Sequence, residues 1–522
     1  MGTYTISPNP LFGSEDDDYL FSFSKTSDYY YAVIYGERGN DAVTGGALDD
    51  KLYGGRGDDA LHGGDGNDLL SGGDGDDTLD GGAGSDTVSY EGTTPIGSLG
   101  VWVDLAAGRG LLGGDVDAFT SIENVIGTDL VDVIFGDANG NRIEGRGEAD
   151  GLYGGGGDDQ LYGGNGNDLL EGGTGADTLD GGAGIDTVSY EDAPAYYGPP
   201  YNDGIWVNLL NGTGSWSANG DTYAGIENVT GSDFDDTILG NGSGNRIEGG
   251  DGDDLLEGGG GADRLYGGVG QDLLRGDDEA DRLYGGDNND DIRGGGSDDQ
   301  LYGGGGNDLL IGGDGADMFD GGAGIDTVSY LGTPPFADAA LDLGVTVHLL
   351  LGVGDWGAAG DTFSRIENVY GSDWVDNLIG NDENNMLVGE GGGDLLFGRA
   401  GDDWLIGGDG ADSLQGADDD DVLDGDGGDL NGAGDDDYLE GGSGEDIFVF
   451  RWPGAGWGDD IVGDFEDGVD RIEFFEVQGL THWSQLSVTQ DGSDVLIGFG
   501  GSSIQVWSAQ VGDFSADDFL FA

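Results

Sequence analysis

Aspartate recurs every ninth residue over most of this chain, each copy following glycines and preceding one large aliphatic residue. Residues 63–71 read GGDGNDLLS, 72–80 GGDGDDTLD and 303–311 GGGGNDLLI. The sixth position supplies a short, stiff carboxylate, and the glycines at the first, second and fourth positions allow left-handed or cramped backbone that turns carbonyl oxygens inward. Carboxylates and carbonyls together form a hard-oxygen environment, suited to a cation that takes six to eight ligands in flexible geometry. Calcium is such a cation, whereas magnesium demands a near-ideal octahedron and sheds water reluctantly. Zinc and copper are poorly served, because His62, His348 and His482 are the only imidazoles and there is no cysteine.

The phased positions fall into four arrays. The first holds Asp41, Asp50, Asp59, Asp68, Asp77 and Asp86; the second Asp132, Asn141, Asp150, Asp159, Asp168, Asp177 and Asp186. The third runs from Asp236 and Asn245 through Asp254, Asp263, Asp272, Asp281, Asp290, Asp299, Asp308 and Asp317 to Asp326. The fourth holds Asp376, Asn385, Asp394, Asp403, Asp412 and Asp421, then slips by one residue at Asp429 and Asp437 before Asp446. The slip is expected to bend or loosen the last coils. Several units depart from the pattern, with Leu48, Glu148, Glu279 and Asn288 at the fourth position and Arg146 and Asp277 at the second. Weaker binding or other ligands are expected there.

These residues need elements to hold them. With 106 acidic against 16 basic side chains the formal charge is -90, and 117 of 522 residues are glycine. Such a chain repels itself and loses much backbone entropy on ordering. One or two aliphatic side chains per unit cannot offset that, so a bound cation must contribute. A disordered acidic tail has the same composition, but it would have no reason to hold phase. Three residues after the aspartate form a short strand with the eighth position inward, as at Leu61, Leu70, Leu79 and Val88. Two nonapeptides per turn then build a right-handed parallel β-roll, an ion lying between stacked glycine turns.

Three related insertions separate the arrays. Each follows DTVSY, at Asp86–Tyr90, Asp186–Tyr190 and Asp326–Tyr330. Each passes through GVWVDL from Gly100, GIWVNL from Gly204 or GVTVHL from Gly344, and returns through IENV at Ile122, Ile226 and Ile366. Apolar residues in matched places read as ordered β-loops packed on the rolls. Tyr19, Phe21, Phe23, Tyr29 and Tyr31 suggest strands that cap the first coil, as stacked repeats require. Beyond residue 446, IFVF, RIEFFEV, LSV, VLIGF and SIQVW read as a compact β-cap. The expected organisation is a cap at 1–34, arrays at 35–89, 132–189, 236–329 and 376–446, insertions at 90–131, 190–235 and 330–375, and a C-terminal β-cap at 447–522. The fold class is all-β.

The pattern GGxGxD followed by x, a large aliphatic residue and x, seen from Gly54, Gly63, Gly72, Gly81, Gly163, Gly172, Gly181, Gly312 and Gly321, resembles the RTX (haemolysin-type) calcium-binding repeats. The C-terminal EDIFVF, GDDIVGDFEDGVDRIEF, DVLIGF and DDFLF resemble the C-terminal domain of serralysin-type proteins. The resemblance implies several Ca2+ ions held by turn aspartates and backbone carbonyls of stacked coils, and export unfolded by type I secretion machinery. The aspartates singled out as ligands are Asp59, Asp68, Asp77, Asp86, Asp159, Asp168, Asp177, Asp186, Asp254, Asp263, Asp272, Asp299, Asp308, Asp317, Asp326, Asp394, Asp403, Asp412 and Asp446. The glycines are Gly54, Gly63, Gly72, Gly163, Gly172, Gly303 and Gly312.

No HExxH or phosphate-loop sequence occurs, and carboxylate pairs carry no weight in so acidic a chain. No catalytic residue is assigned. The charge argues against nucleic acid, and no segment reads as a membrane helix or a standard cleaved signal. The reading is a secreted, extracellular calcium-binding protein with a structural, adhesive or surface-associated role. The alternative is a calcium-dependent polysaccharide-binding or polysaccharide-modifying protein of epimerase or lyase type. Trp102, Trp206, Trp216, Trp356, Trp374 and Trp404 would meet a cell-surface polysaccharide or another extracellular protein.

Overall fold

The computed structural model describes residues 3–5, 10–21, 31–93, 99–194, 203–334, 343–426, 435–451, 458–475, 477 and 479–522. The chain falls into two compact units, residues 1–258 and 259–522. Each is built from short strands, most of them paired in parallel, and among the described residues three single-turn 3-10 helices lie near the C-terminus. Phe23, Tyr29 and Asp429 lie outside the described residues.

Successive nonapeptides alternate between two sheets, so each strand pairs in parallel with the one 18 residues on. Lys51–Arg56 lies beside Leu69–Asp74, and Ala60–Asp65 beside Thr78–Ala83, which sets Leu52 against Leu70 and Leu61 against Leu79. Two nonapeptides therefore complete one coil of a β-roll. In the second unit the same register sets Leu265 against Leu283 and Leu283 against Leu301. The eighth-position residues form a single-file core between the sheets: Leu52, Leu61, Leu70, Leu79 and Val88 are all buried, as are Leu265, Leu274, Leu283 and Leu301. Their strand neighbours face outward, following the two-residue side-chain period.

The strands are longer than three residues. Most array strands span six, running from the seventh position through both glycines to the third position of the next unit. Pairing skips the first glycine, since Tyr53 matches Ser71 and the next matched pair is Gly55 with Gly73. The sheet thus continues past a kink that points the first glycine inward, toward the aspartate.

The insertions are spliced into the sheets. In the first, Leu99–Asp104 pairs antiparallel with Arg109–Leu112 and parallel with Val131–Phe135. Asp115–Thr120 then returns to the array and pairs with Thr78–Ala83, setting Phe119 on Leu79. The second and third place Tyr223 on Leu179 and Phe363 on Phe319 in the same way.

The N-terminal strands also continue the coils: Leu20 is buried in line with Val43. At the other end, Ile447–Arg451, Arg471–Phe475 and Phe519–Phe521 extend one sheet. Asp459–Val462 and Ser502–Val506 extend the other, and Ser487–Asp491 and Asp494–Phe499 complete an antiparallel meander with Ser502–Val506. The slip in the fourth array does not loosen the stack. Ser413–Asp418 pairs directly with Tyr438–Ser443, and Val422–Asp424 with Ile447–Arg451, so the register jumps by 25 residues and resumes.

Candidate metal centre

In each unit the turn aspartates stack in two files, one per sheet. Within a file, Oδ1 of each aspartate accepts the backbone N–H of the aspartate one coil earlier. Asp41 N donates to Asp59, Asp59 N to Asp77, Asp50 N to Asp68 and Asp68 N to Asp86, at 2.7–2.8 Å. The same bond joins Asn141, which stands in an aspartate place, to Asp159, then Asp159 to Asp177 and Asp150 to Asp168 to Asp186. It reaches Asp254 from Asp236, and Asp281 from Asp263, while Asp272 donates to Asp290. Asp281 donates to Asp299, Asp290 to Asp308, Asp299 to Asp317 and Asp308 to Asp326. In the fourth array Asp376 donates to Asp394, Asn385 to Asp403, Asp394 to Asp412 and Asp421 to Asp446. Every aspartate singled out from the sequence therefore occupies the same buried place.

The second oxygen decides the chemistry. Oδ2 of Asp59, Asp68, Asp77, Asp86, Asp150, Asp159, Asp168, Asp177, Asp186, Asp299, Asp308, Asp394, Asp403, Asp412 and Asp446 is buried and accepts no hydrogen bond. An ionised oxygen buried without a donor is costly. Burial, the largest effect, pushes the carboxyls of Asp77 and Asp299 up to about 8 and that of Asp394 to about 9; the single N–H donor pulls the other way and neighbouring carboxylates raise them further.

The residue four places before the aspartate, the second of the nonapeptide, separates two classes. In the bare class it has positive φ: 116° at Gly55, 118° at Gly64, 111° at Gly164 and 114° at Gly295. Non-glycine residues hold the same conformation, with φ 91° at Arg146, 73° at Asp277, 73° at Glu390, 95° at Arg399 and 98° at Ala417. The irregular units thus keep the turn, and Oδ2 of Asp150 and Asp281 is bare as elsewhere. In the closed class the corresponding N–H binds the side chain instead. Gly46 N reaches Asp50 Oδ2 at 2.6 Å, and Thr128, Ser232 and Ser372 N reach Oδ2 of Asp132, Asp236 and Asp376, all at 2.6 Å. None of these four residues has positive φ.

The first glycine has no positive φ and acts by its small size. A Cβ at Gly54, Gly63, Gly163 or Gly303 would collide with Oδ2 of Asp59, Asp68, Asp168 or Asp308 and with the carbonyl oxygen of Gly72, Gly81, Gly181 or Gly321. At Gly72, Gly172 and Gly312 it would strike Oδ2 of Asp77, Asp177 and Asp317. In the coils of Gly54, Gly63, Gly163 and Gly303 a bare carboxylate oxygen and a main-chain carbonyl thus border one small space. Among the described residues no group of three or more His, Cys, Asp or Glu side chains converges to hold a metal. Carbonyls must complete any shell, and an all-oxygen donor set fits calcium. The bound ion would supply the positive charge that the bare oxygens lack.

Sequence reasoning missed the carboxylates that end the files at each insertion. Asp77, Asp177 and Asp317 donate their N–H to Asp117, Asp221 and Asp361, each 40 or more residues on. Oδ2 of those three accepts the hydroxyl of Tyr90, Tyr190 and Tyr330 at 2.6–2.7 Å. On the other file Asp86, Asp186 and Asp326 donate to Glu123, Glu227 and Glu367. The signal lies in the repeated motifs: the tyrosine ends DTVSY, the glutamate belongs to IENV, and the aspartate lies five residues before that motif. Of the tryptophans, Trp102 is half-buried, with Arg109 over its ring at 5.2 Å and Phe135 beside it; Trp404 is exposed. His62 lies 3.0 Å from Asp80, and His482 caps a 3-10 turn.

The RTX calcium-binding nonapeptide repeat (4 copies) matches residues 33–88 in two adjoining segments, and 126–188, 221–328 and 370–449 in overlapping or adjoining ones. No curated protein matches the sequence. Among solved structures, extracellular lipase LipA from Serratia marcescens is similar at 16% identity and TM-score 0.17, over 50% of this chain and 45% of the lipase. This chain therefore spans less than half of that lipase's length. The AlgE6R3 subunit of the Azotobacter vinelandii mannuronan C5-epimerase is similar at 26% identity and TM-score 0.19, over 28% of this chain and 78% of the subunit. With the repeat matched over more than half of its residues, the chain belongs to the RTX calcium-binding nonapeptide repeat family and binds multiple calcium ions.

Proposed function

We propose that this is a secreted protein whose arrays order when they meet extracellular calcium, and that it serves as a structural, adhesive or surface-associated component outside the cell. The observation that carries the reading is the file of buried Oδ2 atoms without donors. A folded chain that must bind an ion at each coil is stabilised by mass action where calcium is abundant. Extracellular modules bind calcium at about 10⁻⁴ to 10⁻³ M, far above cytosolic levels. The chain would then stay open inside the cell and fold after export. Far-UV circular dichroism of the whole chain tests this: a coil spectrum is expected in EDTA and a β spectrum in millimolar calcium. A full β spectrum in EDTA would refute it. Localisation is tested separately, by looking for the protein in the medium and on the surface of producing cells.

A further inference from the structure

The matched repeats end at residue 449, but the aspartate files do not. On one file Asp446 donates its N–H to Asp470 at 3.1 Å; on the other Asp437 donates to Asp460, also at 3.1 Å. Both final steps fall in GDDIVGDFEDGVD, which contains no GGxGxD. The two files finish differently. Asp470 Oδ2 accepts the Glu466 N–H at 2.7 Å, so that carboxylate is closed by the chain itself. Asp460 is 1% exposed and its Oδ2 accepts no hydrogen bond.

The surroundings of Asp460 make this worse for an anion. Its carboxylate feels those of Asp437, Asp426 and Asp436. Arg451, whose charge bears on Asp426, is bound by Asp424 and lies over Phe475. The layer beneath keeps the form of the arrays, since a Cβ at Gly425 would strike Asp437 Oδ2. One coil further on, Asp460 is matched with Ile504, which brings no side-chain oxygen. A buried anionic oxygen among other carboxylates calls for a cation.

We propose that the Asp437–Asp460 step is a calcium site beyond the nonapeptides, and that its ion fastens the strands Asp459–Val462 and Ser502–Val506 to the fourth array. The proposal rests on the calcium-roll reading and adds that docking of this C-terminal sheet is itself calcium-linked. Hydrogen exchange of the whole chain, followed peptide by peptide through a calcium titration, tests it. In the wild type, residues 459–462 and 502–506 are expected to gain protection with calcium. In Asp460→Asn, which keeps the acceptor for Asp437 N, the calcium midpoint of those peptides should rise at least about tenfold, the loss that even an outer-shell change produces. Peptides from 293–328 should keep their midpoint in that variant. Asp470→Asn, at the closed end, should leave both midpoints in place. Protection of 459–462 and 502–506 that is independent of calcium in the wild type, or equal midpoints in wild type and Asp460→Asn, would overturn the proposal. If 293–328 gained no protection from calcium, the roll reading itself would fail. If Asp460→Asn does not fold at saturating calcium, the wild-type titration alone decides.

Discussion

Asp168 and Asp236 are both buried on the aspartate files of the first unit, yet they are solvated in opposite ways. Asp168, in an array, has one donor on Oδ1 and none on Oδ2. Asp236, at the return from the second insertion, accepts Ile205 N and Ser232 Oγ on Oδ1 and Ser232 N on Oδ2. The same contrast separates Asp177, whose Oδ2 is bare, from Asp221, whose Oδ2 takes the Tyr190 hydroxyl. A carboxylate inside a protein needs donors or a cation. Here the carboxylates beside the insertions, and Asp50 in the first array, take donors carried by the chain, and the bare array aspartates leave the place for calcium. Removing the partner of a buried charge costs about 3–5 kcal/mol, so an array with many such oxygens depends on its ions far more than an insertion does.

Calcium removal is the severest test of that contrast. In EDTA, exchange of the amides in 150–186 and 299–326 should rise toward coil rates; arrays that stay protected would mean that the bare oxygens have another partner. Paired substitutions come next. Asp168→Asn keeps the acceptor for Asp150 N but removes an anionic oxygen, and should raise the calcium midpoint of its array at least about tenfold. Asp236→Asn should leave the calcium midpoint unchanged while lowering stability by about 1–3 kcal/mol, because its amide group then faces the Ser232 N–H. Equal calcium dependence in the two variants would erase the distinction between the classes.

Tyr190→Phe probes the closed class alone. It strips the donor from Asp221 Oδ2 in a site where both residues are buried, and should cost about 1–3 kcal/mol of thermal stability even at saturating calcium. A loss that extra calcium repairs would place an ion at Asp221. The smallest effect is expected at Ala417, which holds φ 98° without any side-chain bond to justify it. Ala417→Gly relieves about 1–2 kcal/mol of left-handed strain and gives back about 0.4–1 kcal/mol through the more flexible unfolded chain. A slightly higher melting temperature with the calcium midpoint unmoved is the expected outcome.

Much of the roll is legible in the amino-acid sequence. The nine-residue phase, the inward eighth position and the two-unit coil all hold in the folded chain, because side-chain alternation and glycine turns are local. The irregular units mislead for the same reason. Glu279 and Asn288 break the glycine pattern, yet φ of 70° and 81° shows them held in the turn by the coils around them. The slip at Asp429 and Asp437 reads as a loosened roll, whereas Asp412 bonds Asp437 across it at 2.9 Å.

The amino-acid order by itself determined the period, the acidic turn and the aliphatic file, since each depends on neighbours within one nonapeptide. Which carboxylate oxygens stay bare was decided only in three dimensions. That choice depends on the backbone rotation four residues before each aspartate, and on donors such as Tyr190 for Asp221 that arrive from another coil. Burial makes both matter, because an oxygen removed from water must take whatever partner the packed layers bring within bonding distance.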